Sequence, residues 1–132
     1  MVNKDDVYYM EQAILEINVI IEYTKNLSFD EFMLDIKTID ATMFRFQQMI
    51  EKIKYLSLEF KKKYNYIPWN DIIGFRNRIV HDYGKTDYTT VYEIIKNDIY
   101  QLKELFESSI YNTWITFIMK SAFFLVCFIV CA

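Results

Sequence analysis

The stretch FQQMIEKIKYLSLEF, from Phe46 to Phe60, carries the pattern that decides the fold. Its apolar residues recur at steps of three and four, a spacing that places them along one face of an α-helix. A half-buried strand would instead alternate apolar and polar residues. The stretch therefore predicts an amphipathic helix whose apolar face, here Phe46, Met49, Ile50, Ile53, Leu56 and Phe60, lies in a hydrophobic core.

Three further segments have the same spacing on either side of this stretch. Ser28 and Glu31 have the spacing of a capping box, which marks a helix start, and Asp5 or Asp6 is positioned to cap an earlier helix. Pro68 suits the first turn of a helix and ends the one before it. We expect helices over about residues 5–25, 28–64 with a break near 35–38, 69–81 and 91–106, forming an all-α, up-and-down four-helix bundle.

The composition agrees with one helical domain. The 132 residues are 53% hydrophobic, and they include only two glycines and one proline. Strand-rich domains need many turns, which such residues usually build, so their scarcity favours a few long helices. We expect a helical domain over residues 1–110, followed by an apolar tail over residues 111–132.

The charge distribution is uneven along the chain. The formal net charge is −3, but residues 50–86 contain eight basic and four acidic side chains, a local net charge of +4. A basic region in an acidic protein is compatible with a polyanionic partner such as RNA. The run from Lys61 to Lys63 has the alternative interpretation of a solvated helix end.

The first residues and the two cysteines do not predict an exported, disulfide-bonded protein. The first residues lack the basic and then apolar run of a signal peptide, so we expect a cytoplasmic protein. Cys127 and Cys131 are four residues apart, which places them on one helix face and does not suit a disulfide.

The tail from Tyr111 to Ala132 has one charged residue, Lys120. As a helix it would span roughly 30 Å, about the thickness of a bilayer core. A charge near the middle costs at least about 3 kcal/mol, so a membrane anchor is considered but not favoured. The alternatives are a continuation of the fourth helix that is buried in a partner chain, and a read-through extension.

The third predicted helix contains the side chains that could carry chemistry. His81 is the only histidine, and histidine titrates near neutral pH without help. Arg76 lies five residues before it, with Asn77 and Arg78 between them and Tyr83 just after. Metal-independent RNA cleavage needs a base, an acid and a cation, and one histidine with one or two arginines per subunit comes close to this set. We expect no metal or cofactor. An ordinary helix end is the alternative interpretation.

Positions 76 and 81 lie about 140° apart on a helix. Their convergence on one phosphate therefore needs a distorted helix end or a second subunit.

The stretch IPWNDIIGFRNRIVHDY, from Ile67 to Tyr83, resembles the signature of the HepT family of HEPN proteins, in which Arg, four residues, His, one residue and Tyr define the site. The resemblance extends over about residues 5–110. One departure is that Met49-Ile50-Glu51 keeps the acid, but not the glycine, of an Ile-Gly-Glu element that the family often shows.

This resemblance implies a homodimeric HEPN bundle that acts as the ribonuclease toxin of a toxin–antitoxin pair, with a MntA-like nucleotidyltransferase as antitoxin. Arg76 and His81 correspond to the catalytic pair, and Asn77 to the polar residue that commonly follows the arginine. We expect Asn77 and Arg78 to bind the substrate. Tyr83 corresponds to the tyrosine that the antitoxin modifies with AMP. The alternative is a non-catalytic HEPN module that binds a nucleotidyltransferase partner.

Overall fold

A computed structural model describes residues 4–81 and 86–131 of the chain, with residues 78–81 as helix backbone only. All the regular elements in these ranges are helical. A π-helical turn, Ile94–Asp98, joins the sixth helix to the seventh. The α-helices are α1 (Lys4–Thr24), α2 (Phe29–Leu34), α3 (Ile36–Lys54), α4 (Leu58–Lys63), α5 (Trp69–His81), α6 (Tyr88–Glu93) and α7 (Ile99–Val130).

Four long helical segments build the core, which confirms the predicted all-α bundle. Helix α1 packs against α3 and α7, and α5 packs against α3. The short helices α2 and α4 lie in the connections. The apolar stripe that the sequence predicted for α3 and its continuation is buried throughout, and the largest fully buried aromatic side chains are Phe32, Phe46, Phe60 and Phe106.

Two local signals in the sequence appear in the structure as predicted. The backbone N–H of Ser28 donates to the Glu31 carboxylate at 2.8 Å, and the Glu31 N–H donates to the Ser28 hydroxyl at 3.3 Å, which completes the capping box. The predicted break falls at Asp35, whose carboxylate caps α3 by accepting from the N–H and the hydroxyl of Thr38. These two hydrogen bonds lower the pKa of Asp35.

The prediction that the helix continues from the break near residues 35–38 to about Tyr64 is wrong. Helix α3 ends at Lys54 and α4 begins at Leu58, with Ser57 as its N-cap. The N–H and hydroxyl of Ser57 donate to the carboxylate of Asp6 at 2.7 and 2.8 Å. Asp6 lies within the first turn of α1, so its carboxylate organises the start of α4, a role that the sequence pattern did not predict.

The fourth predicted helix contains an irregularity that its periodicity did not show. Lys96, in the π-helical turn, donates from Nζ to the backbone oxygen of Thr24 at 2.9 Å. The hydroxyl of Tyr92 donates to the backbone oxygen of Leu27 at 3.0 Å. The two acceptors lie at the end of α1 and three residues beyond it, so these side chains hold α6 and the π-helical turn against the end of α1.

Helix α7 leaves the bundle at its carboxyl-terminal half. Its last buried residue is Thr113, which shares a hydrogen bond of 2.7 Å with the hydroxyl of Tyr64. From residue 118 to residue 131 every side chain is exposed. The continuous helical segment Tyr88–Val130 is long and apolar enough, by length and composition, to cross a membrane.

The contact between Asp6 and Ser57 predicts that Asp6 contributes more to the free energy of unfolding than its neighbour Asp5. We expect Asp6→Ala to lower the free energy of unfolding by about 2 kcal/mol, because it leaves two donors without their acceptor. Asp5 is exposed on the same turn, so Asp5→Ala is the matched control and should change that free energy by less than about 0.5 kcal/mol. Urea unfolding followed by circular dichroism measures both, and equal effects would contradict the assigned role of Asp6.

Candidate active site

Trp69 anchors the start of helix α5. Its indole N–H is shared between the backbone oxygens of Lys61 and Tyr64, at 3.1 and 3.0 Å. Its ring stacks on Phe106 of α7, with 6.0 Å between the ring centroids and 19° between the planes. Trp69 therefore ties α5 both to the end of α4 and to α7.

Apolar contacts along α5 determine which of its sides faces α3. Ile72 is buried, and the ring of Phe75 meets that of Phe46 on α3 edge to face at 5.3 Å. With Phe75 held against α3, the next residue along the helix, Arg76, lies at the boundary between α5 and α3.

Arg76 forms an ion pair with Glu51 of α3. Its Nε lies 2.8 Å from Glu51 Oε1, and the two side chains are 31% and 34% exposed. Glu51 also lies 3.4 Å from Lys54 Nζ. Because the pair is partly exposed to solvent, it contributes little to the free energy of unfolding. It does orient the guanidinium group at the surface of the bundle.

The structure describes the side chain of only one of the other predicted site residues. Asn77 is exposed on α5. Positions 78 and 81 are described as helix backbone only, so the predictions for the side chains of Arg78 and His81, and that for Tyr83, lie outside the described residues. Because α5 is helical from Trp69 to His81, positions 76 and 81 stay about 140° apart.

Glu51 is the site residue whose role the sequence did not reveal. It stood out only as the acid of an Ile-Gly-Glu element that had lost its glycine. Its proximity to Arg76 depends on the packing of α5 on α3, which periodicity does not specify.

A basic surface lies beside the start of α5. Lys62 and Lys63 are exposed, while Lys61 is half-buried. Desolvation lowers the pKa of Lys61, and the charge of Asp6 acts in the opposite direction. Lys61 and Lys62 border a groove of about 520 Å³ whose lining also includes Asn65 and the first residues of α5, from Trp69 to Asp71.

A second groove, of about 370 Å³, lies between α3, α5 and α7. Phe46, Phe75 and Leu102 are among its apolar lining residues, and its charged lining residues are Asp71 and Asp98. Two carboxylates on an apolar surface do not suit a phosphate, so this groove is a poor candidate for an RNA site. Within residues 4–81 and 86–131, no group of three His, Cys, Asp or Glu residues is arranged to hold a metal ion.

The helical bundle and the Arg-to-His spacing on α5 define a HEPN-type protein. Residues 13–109 match the family described as ribonuclease HepT-like, and this chain belongs to that family.

Curated relatives match about three quarters of the chain. A Methanocaldococcus jannaschii protein named as a gamma-glutamylcyclotransferase and candidate RNase is 36% identical over 101 residues, which cover 76% of this chain and 46% of that protein. A candidate RNase of the same organism is 33% identical over 104 residues, 77% of this chain and 94% of the relative. A candidate ribonuclease HepT of Thermococcus cleftensis is 30% identical over 99 residues, 75% of this chain and 90% of the relative.

The chain thus spans about half of the first of these proteins and nearly all of the other two. No solved structure gives a significant match to it.

Gly74, two residues before Arg76, is a position in α5 where a larger residue is expected to stabilise the protein. A methyl group added at this position would meet no atom within 4 Å. Glycine in a helix interior costs about 0.5–1 kcal/mol relative to alanine. We therefore expect Gly74→Ala to raise the free energy of unfolding by that amount, measured by urea unfolding. A loss of stability would mean that another group approaches α5 closely at this point.

Proposed function

We propose that this protein is a metal-independent endoribonuclease and the toxin of a toxin–antitoxin pair. One observation carries the proposal. Arg76 on α5 is oriented by Glu51 of α3, and it lies five positions before the only histidine of the chain. Membership of the HepT-like ribonuclease family and the names of the relatives support it.

The proposed reaction needs no group beyond those of α5. A base removes the proton of a ribose 2′-hydroxyl, whose oxygen attacks the adjacent phosphorus. The bond from phosphorus to the 5′-oxygen breaks, and an acid protonates that leaving oxygen. His81 is assigned to proton transfer, and Arg76 to the negative charge that develops on the phosphoryl oxygens. Asn77 and Arg78 are assigned to RNA binding.

The active unit is proposed to be a homodimer. Each subunit has one histidine, whereas the reaction uses both a base and an acid. The regular helix of α5 keeps positions 76 and 81 of one subunit on different sides. Two α5 helices that face each other would bring two histidines and two copies of Arg76 into one cleft.

The first test is the degradation of total cellular RNA by the purified protein in EDTA. We expect cleavage by the wild type, and a loss of about 100-fold or more in His81→Ala and in Arg76→Ala. Arg45→Ala is the matched control, because Arg45 is 33% exposed and pairs with Glu16 across α1 and α3 at 3.2 Å.

Cleavage by Arg45→Ala should remain near that of the wild type. RNA cleavage that survives His81→Ala unchanged would contradict the proposed mechanism. Equal losses in the two arginine variants would show that Arg76 matters only for folding.

We further propose that a MntA-like nucleotidyltransferase is the antitoxin and that it transfers AMP to Tyr83. In this step the phenol oxygen attacks the α-phosphorus of ATP and pyrophosphate leaves. The new group is anionic and lies two residues from His81, so it would repel an RNA phosphate from the site. Because its substrate would be cellular RNA, the domain is proposed to work in the cytoplasm.

This regulation is tested with such a nucleotidyltransferase, ATP and intact-mass measurement. We expect the wild type to gain one AMP and to lose RNA cleavage in proportion, and Tyr83→Phe to gain none and to stay active. Tyr88 is a half-buried tyrosine of the same region, and Tyr88→Phe is the control that should still be modified. Modification of a wild-type protein that never cleaves RNA would favour the non-catalytic HEPN module.

A further inference from the structure

The second half of α7 has no packing partner within the described chain. The residues of α7 that are buried are Ile99, Phe106, Ser109 and Thr113. Beyond them the helix continues to Val130 without a break. It therefore carries an apolar surface away from the bundle and into the solvent.

This surface covers every side of the helix. The large exposed side chains form one adjacent pair and two longer unbroken runs, and consecutive residues on an α-helix point in different directions. A helix that binds in a protein groove needs an apolar stripe on one side only, whereas a helix that is apolar all round suits a lipid environment. The large exposed residues are Ile118, Met119, Phe123, Phe124, Leu125, Val126, Phe128, Ile129 and Val130.

Two common explanations of an apolar helix do not apply. The core helix of a soluble protein is mostly buried, but only 6% of the most apolar window of this helix is buried. A signal sequence lies near the amino terminus, whereas more than 100 residues precede this segment.

The length and the aromatic residues of the segment match a bilayer. From Trp114 to Val130 the helix is about 25 Å long, close to the roughly 30 Å of a hydrocarbon core. Tyr111 and Trp114 are 67% and 44% exposed at the point where the helix leaves the bundle. Tyrosine and tryptophan are enriched at that level of membrane proteins.

The tertiary structure brings positive charge to the same point. Tyr64 shares its hydrogen bond with Thr113, the last buried residue of α7, and Lys63 Nζ lies 5.2 Å from the centre of the Tyr64 ring. The basic end of α4 therefore lies beside the exit of the tail. It supplies cations at a point where α7 itself has none. The preceding turns of α7 contain Lys103, but it is paired with Glu107 at 3.8 Å.

We propose that α7 beyond Thr113 inserts into a bilayer with anionic headgroups, and that Lys61, Lys62 and Lys63 lie against those headgroups. Lys120 is about 9 Å along the helix from Trp114, so its long side chain extends back to the near headgroups. Cations on the domain side place the domain on the cytoplasmic face. This inference does not depend on ribonuclease activity.

The only two cysteines of the chain, Cys127 and Cys131, report on the tail directly, because both are exposed in the structure. The full chain is synthesised without cells in the presence of vesicles of phosphatidylcholine and phosphatidylglycerol, and then treated with a membrane-impermeant maleimide. We expect the protein to float with the vesicles at high salt, with both thiols protected until a denaturing detergent is added.

The tail variant Phe124→Glu with Leu125→Glu should reduce flotation by at least about tenfold, because two buried charges oppose insertion. Its control is Leu34→Glu with Ile36→Glu, which changes two residues that are 84% and 70% exposed on the bundle. This control should float like the wild type. Lys62→Glu with Lys63→Glu should weaken flotation with anionic vesicles and leave flotation with pure phosphatidylcholine vesicles unchanged.

Three outcomes would overturn the proposal. Thiols that are labelled equally with and without vesicles would show that the tail stays in water. Thiols protected in the absence of vesicles, together with a larger particle on size exclusion, would show burial in another copy of the chain. Equal loss of flotation in the tail variant and in its control would show that the assay reports folding, not insertion.

Discussion

The position of helix α5, and with it the candidate site, depends on the side chain of Trp69. Its N–H satisfies two backbone oxygens at the end of α4, and its ring stacks on Phe106 of α7. An indole can do both because it has an apolar body and a polar tip. With the start of α5 held in this way, Phe75 meets Phe46. Arg76 is then brought within 2.8 Å of Glu51.

Two acidic residues of this protein have structural roles close to basic side chains. Asp6 holds the start of α4, and Glu51 orients Arg76. A protein with net charge −3 can in this way still have a basic surface, because a carboxylate that is paired with a nearby donor or cation contributes less to the field outside the protein. The net charge does not show this local surface, whereas the distribution of charge along the sequence does.

The two parts of α7 suit different surroundings, the first a protein core and the second an apolar environment. Up to Thr113 the helix has one buried side and packs as part of a bundle, and beyond residue 117 its side chains are exposed all round. The exposed part adds nothing to the core of the bundle. An apolar surface of that extent in water is costly, so its presence requires an explanation outside the bundle.

The sequence by itself determined the features that depend on near neighbours. The spacing of apolar residues specified the helices, Ser28 with Glu31 specified a helix start, and Asp35 specified a break, because each of these acts over three or four residues. The spacing of Arg76 and His81 is likewise a local property, and with its flanking residues it indicated the family.

Only the tertiary structure decided the contacts between residues far apart in the chain. Asp6 meets Ser57 across 51 residues, and Tyr64 meets Thr113 across 49. Periodicity identifies which side of a helix is buried, but not which residue of another helix lies opposite to it. For that reason the end of α3 at Lys54, the partner of Arg76 and the lysines beside the exit of the tail could not be read from the sequence.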